Sequence, residues 1–114
     1  MIEKTIIDYF NKKLDVESFM ERPTDCPESY ILIEKVGSDD ERNGLLHKAT
    51  ITIQTHAKTM YETAMLNEVV KKLVIDMPNH ISDVCLCELD SDYNYTNTKL
   101  KGYRYQAIFD ITYY

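Results

Sequence analysis

The chain has 114 residues, with 13 basic and 19 acidic side chains, a formal net charge of −6, three cysteines and no tryptophan. That length suits one domain over residues 1–114 with a core of its own, and the acidic balance argues against general binding to phosphate backbones, which basic surface drives. No apolar run approaches the roughly 18 residues of a membrane span, and the opening stretch, with Glu3, Lys4 and Asp8 in it, lacks a signal peptide's apolar core; both point to a cytoplasmic protein with no membrane partner.

In chain order, Ile2, Ile6, Tyr9 and Phe10 recur at i, i+4, i+7 and i+8 and predict an amphipathic helix over 2–13. Lys12 and Lys13 suit its carboxyl end, where the helix dipole favours cations. A short strand is predicted over 18–21. The two prolines of 23–27 deny ladder donors and make that segment a loop. Residues 29–36 are rich in β-formers and predict a strand. The polar stretch 37–44, GSDDERNG, predicts a loop longer than the roughly two to five residues of most hairpins. Over 46–56, Ala49, Ile51 and Ile53 alternate with Lys48, Thr50, Thr52 and Gln54, which predicts a strand antiparallel to the one before it.

One long helix is predicted over 59–77. Thr59 and Glu62 form an S/T-x-x-E capping box, and Pro78 cannot continue the helix. Leu66, Val69, Val70, Leu73 and Met77 form its apolar stripe, and Glu68 and Lys72 stand at i and i+4 for an ion pair. Tyr61, Met65 and Ile75 fall off that stripe, as a second apolar patch facing a neighbouring subunit or the first helix. After a turn at 78–80, a strand is predicted over 81–89, with Val84 and Leu86 on one face and Cys85, Cys87 and Leu89 on the other. Residues 90–102 predict a polar loop. A last strand over 103–113 sets Tyr105, Ala107, Phe109 and Ile111 against Arg104, Gln106, Asp110 and Thr112. The order α-β-β-β-α-β-β predicts an α+β fold: a mainly antiparallel sheet of four to five strands with two helices packed on one face.

Catalytic patterns are missing from the sequence. Cys26, Cys85 and Cys87 are an odd set without a secretion signal and read as reduced thiols; a metal site would need further ligands. His47 and His56 fall on opposite faces of one strand, and neither they nor His80 sit in a nucleophile motif. Asp90, Asp92 and Asn94 match the start of a calcium-binding EF-hand loop, but Tyr95 stands where glycine is needed and Lys101 where the bidentate glutamate should be. The three glycines are too far apart to cradle a phosphate. The expectation is a protein that is not an enzyme, with no catalytic, metal or cofactor site. Six of the nine tyrosines lie in the last 22 residues, and tyrosine suits surfaces that are dry on one side and wet on the other. The candidate contact residues are therefore Asp39, Asp40, Glu41 and Arg42 in the acidic loop, Tyr61 and Met65 on the long helix, and Tyr113 and Tyr114 at the end.

Four stretches carry a family likeness: MIEKTIIDYFNKKLDV, MERPTDCPESYILIEKVGS, AKTMYETAMLNEVVKKL and SDYNYTNTKLKGYRYQAIFDITYY. In these the chain resembles the small tail-terminator and tail-to-head joining (tail completion) proteins of long-tailed bacteriophages and prophages. The likeness spans nearly the whole chain and lies in overall texture and element order. It implies a structural role: such proteins cap the tail tube as a ring, commonly a hexamer, end tube polymerisation and help join tail to head. The implied partners are further copies of the chain, the tail tube protein and the head-tail connector protein, with no sequence-specific nucleic acid. The implied location is the host cytoplasm during assembly and then the tail-head junction of the virion. The alternatives are a head-completion or other minor tail component, or a non-phage α+β regulatory or ligand-binding module.

Overall fold

Alternating apolar residues build the centre of the sheet. A computed structural model describes residues 1–40, 45–97, 99 and 102–114, with the backbone alone at 39 and 40. Its elements are α1 (Ile2–Lys13), β1 (Ser18–Phe19), β2 (Tyr30–Asp40), β3 (His47–Ala57), α2 (Met60–Asp76), a 3-10 turn at Met77–Asn79, β4 (Val84–Asn94) and β5 (Tyr103–Tyr113). The five strands form one mixed sheet in the order β1-β2-β3-β5-β4. Only β1 runs parallel to its neighbour; every other pair is antiparallel. This is the α+β architecture that the element order predicts.

One face of the sheet carries the core. Ile33, Ile53 and Ala107 lie in register across β2, β3 and β5, as do Ile51 and Phe109. All are buried together with Ile6 and Phe10 of α1 and Val70 and Val74 of α2. Each such large side chain contributes about 1.5–3 kcal/mol when fully buried, so both helices are held to the same face by these contacts.

The long helix sits rotated from its predicted orientation. Its buried residues are Thr63, Asn67, Val70 and Val74, spaced i, i+4, i+7 and i+11, with Met77 completing the row. Val69, predicted to be in the stripe, is 41 % exposed. Two polar residues take the place of apolar ones, each with its donor hydrogen-bonded, although the buried Asn67 Oδ1 has no partner among the described residues. Thr63 Oγ1 donates to the Thr59 carbonyl at 2.6 Å, and Asn67 Nδ2 donates to Asp92 Oδ2 at 3.3 Å. The Thr59 half of the capping box is formed, its hydroxyl accepting from the Glu62 amide at 3.1 Å. In place of a Glu68–Lys72 pair, Lys71 meets Glu68 at 2.7 Å and also Asp92 on β4. The rotation gives a paired test. Val70→Ala should cost about 2 kcal/mol, from lost methyl burial at about 0.8 kcal/mol per carbon and the residual cavity. Val69→Ala should leave stability within about 0.5 kcal/mol, as at other surface sites. Urea unfolding of both variants measures the difference, and equal losses would restore the predicted stripe.

Two strands are longer than predicted. Residues Gly37–Asp40 continue β2 and pair with Thr50–His47 after an extra residue, Val36, and β4 begins at Val84 and runs on through Asn94. The polar composition of these extensions suggested loops, but Gly37, Ser38, Asp90 and Asn94 are exposed, where polar residues cost little. β4 carries two irregularities, with Cys85 and Asp90 as the extra residues. A bulge shifts the alternation by one, so Val84 and Cys87 are buried whereas Leu86 is 49 % exposed. The predicted sharing of a face by Val84 and Leu86, and by Cys85 and Cys87, therefore fails. The three cysteines are free thiols, and burial pushes the Cys87 thiol up to about 12, which keeps it protonated and inert at neutral pH.

Candidate functional site

The predicted contact residues divide between one end of the sheet and the outside of α2. Asp40 pairs with His47, which pairs in turn with Tyr113 and so brings Val84 into the same row. Residues 39 and 40 therefore share an end with Tyr113 and Tyr114, while Glu41 and Arg42 lie outside the described residues. Tyr113 is packed against the core and its ring lies 5.4 Å from that of His47; Tyr114 is 66 % exposed. Tyr61 and Met65 are exposed on the outside of α2. With Val69 they recur at i, i+4 and i+8, forming one apolar stripe that no other part of the described chain covers.

A second constellation arises at the opposite end of the sheet, on the face away from the helices. Register places Tyr30, His56 and Arg104 directly side by side on β2, β3 and β5. The Tyr30 and His56 rings stack at 4.3 Å with planes 9° apart. With Arg22, Gly102 and Tyr103 they line a cleft of about 410 Å³, and a narrow recess beside it is lined by Arg104 as well. Gly102 has φ 86°, and a Cβ there would stand 3.1 Å from the Ala57 carbonyl oxygen. Glycine is thus required where the chain turns back into β5.

Each arginine is anchored through its Nε. Arg22 Nε donates to Cys26 Sγ at 3.3 Å. Arg104 Nε donates to the Tyr95 carbonyl at 2.6 Å, and its guanidinium lies 4.3 Å above the Tyr95 ring in a cation–π contact. Burial, then Arg104, then Arg22 hold the His56 imidazole down to about 4, so it is neutral at physiological pH. Its Nε2 lies 3.2 Å from Gln54 Oε1, an acceptor, which fixes the proton on Nε2. Gln54 Nε2 then donates to Gln106 Oε1 at 2.9 Å, and Gln106 Nε2 to the Tyr93 hydroxyl at 2.6 Å. A directed side-chain chain thus runs from β3 across β5 to β4. Burial and the neighbouring Cys26 thiol push the Tyr30 hydroxyl above its usual range.

These residues escaped the sequence reading because positions 30, 56 and 104 meet only through strand register, and Arg22 joins them from the segment between β1 and β2. The one signal was the isolated His56 at a strand end. Two of the clustered tyrosines have intramolecular work: Tyr93 closes the amide chain and Tyr95 carries Arg104. Among the described residues no three His, Cys, Asp or Glu side chains gather as a possible metal site, and no helix is long and apolar enough to cross a membrane. Comparison of the sequence with protein-family models and with curated proteins finds no match.

Proposed function

We propose that the chain is a structural assembly protein that forms a closed ring by contact between copies, in the manner of the phage tail terminators it resembles: it caps the tail tube, ends polymerisation and meets the head connector without catalysis. The observation that carries this reading is the exposed stripe of Tyr61, Met65 and Val69. An apolar helix face without an intramolecular partner is the kind of surface that association buries, and a heterologous contact that closes on itself generates a ring. β4 supports the reading, since among the described residues it pairs with β5 alone and leaves the outer edge of an 11-residue strand unpaired. A ring of about six copies is expected from light scattering after size exclusion across a concentration series. Met65→Asp should shift that species to monomer with the fold intact by circular dichroism. A tight dimer that the substitution leaves unchanged would sink the reading. A ligand-binding module is the second reading, favoured by the cleft of about 410 Å³ with its convergent polar groups.

A further inference from the structure

We propose that the cleft lined by Arg22, where it meets the narrow recess lined by both Arg22 and Arg104, is a binding site for one compact oxyanion, a carboxylate or phosphate group, gripped by the free ends of the two guanidiniums. This inference stands apart from ring formation and draws on a different face of the molecule.

The chain has 19 acidic residues against 13 basic ones, yet among the described residues neither Arg22 nor Arg104 has a carboxylate within ion-pair distance. Two cations beside one imidazole repel its proton, and an anion between them would relieve that repulsion. At the rim Lys58 meets Glu28 at 4.0 Å, between side chains that are 69 % and 79 % exposed. Such an exposed pair is weak and leaves Lys58 able to turn toward an incoming anion.

Geometry supplies the second step. Both guanidiniums are tethered through Nε, to Cys26 Sγ and to the Tyr95 carbonyl, which leaves their terminal nitrogens as the remaining donors. A guanidinium already held in place loses less freedom on binding, and its two-pronged edge matches the oxygens of a carboxylate or phosphate. Neutral His56 commits its Nε2 proton to Gln54, so it does not compete as a cation. Tyr30 and Tyr103 provide flat walls. The net charge of −6 restricts the ligand to a single anionic group, because a nucleic-acid strand would meet repulsion beyond the cleft.

The test follows the His56 ring by NMR at fixed ionic strength while inorganic phosphate is added in one arm and the singly anionic peptide acetyl-Gly-Asp-Gly-amide in the other. Saturable shifts are expected, with the His56 titration moving up from about 4 by about one pH unit as the anion offsets the arginine charges. Arg22→Gln should weaken binding by about tenfold, the size of one charge-assisted contact, and the Arg22→Gln/Arg104→Gln pair should abolish it. Arg22 is exposed, so its single variant tests the site without disturbing the fold. Saturation by phosphate identifies a free anion as sufficient; saturation by the peptide alone identifies a carboxylate presented on a protein chain. Saturation in neither arm, or equal shifts in the double variant, overturns the proposal. Loss of ring formation would not bear on it, because the readout is confined to His56.

Discussion

Phe109→Ala is expected to lower the free energy of unfolding by about 3–5 kcal/mol, the range for deleting a buried aromatic ring and leaving a cavity. The side chain is fully buried on β5, the strand between β3 and β4. Ile51 stands directly across from it on β3 and Leu89 on β4. Helix packing covers the same face, where Phe10, Val70 and Val74 join the core. Neighbours on a rigid sheet move little, so the space left by the ring stays largely open and both the transfer and cavity costs are incurred. A domain of this size has a total stability of about 5–15 kcal/mol, so the variant should approach global unfolding near body temperature. Urea denaturation should give a lower midpoint with an unchanged slope, since the surface exposed on unfolding remains the same. A loss below about 1 kcal/mol would mean that β5 does not carry the centre of the core.

The elements that were legible in the sequence are those whose period one buried face enforces. β3 alternates without interruption from Ala49 to Ile53, and α1 repeats Ile2, Ile6, Tyr9 and Phe10, all buried. Legibility ended where the period slips. At Val36, Cys85 and Asp90 an extra residue shifts the alternation; behind Val36 and Asp90 the chain pairs while its composition suggests a loop, and behind Cys85 the predicted faces are exchanged. On α2, Thr63 and Asn67 are buried with their donors bonded to the Thr59 carbonyl and to Asp92, a compensation that hydrophobic periodicity cannot register and that leaves Asn67 Oδ1 without a partner among the described residues. The cleft was invisible for a further reason. Tyr30, His56 and Arg104 come from separate strands, and no spacing within the chain encodes their meeting. Tyr61 and Met65, in contrast, were legible as a patch off the core stripe, and both are exposed.

Lowering the pH from 7 to 4 should cost the protein roughly 2–3 kcal/mol through His56 alone, and His56→Gln should remove that loss. The folded imidazole is held down to about 4 against an ordinary value of 6.5, so between these values the unfolded chain binds the proton and the folded chain does not. Stability then rises with pH across the window. The contribution is complete above about pH 6.5, declines as the pH falls and is gone below about pH 4. At about 1.36 kcal/mol per pH unit the interval sets an upper bound of about 3.4 kcal/mol, reduced here because the ring is half-buried beside a cleft open to solvent. The physical cause is local: protonated His56 would sit against Tyr30 with Arg104 and Arg22 nearby. Asp76, whose carboxyl is held low by Asn79 and then His80, titrates below this window. Chemical denaturation at half-unit intervals of pH should therefore show a sloping limb in the parent protein and a flatter one in His56→Gln. Equal slopes would mean that the folded imidazole takes up its proton at no lower pH than the unfolded one. Removing the neighbouring charges should act on the same limb from the other side: Arg22→Gln raises the pH at which His56 accepts its proton and so narrows the window. Bound phosphate does the same by neutralisation, which couples the acid limb of stability to occupancy of the cleft.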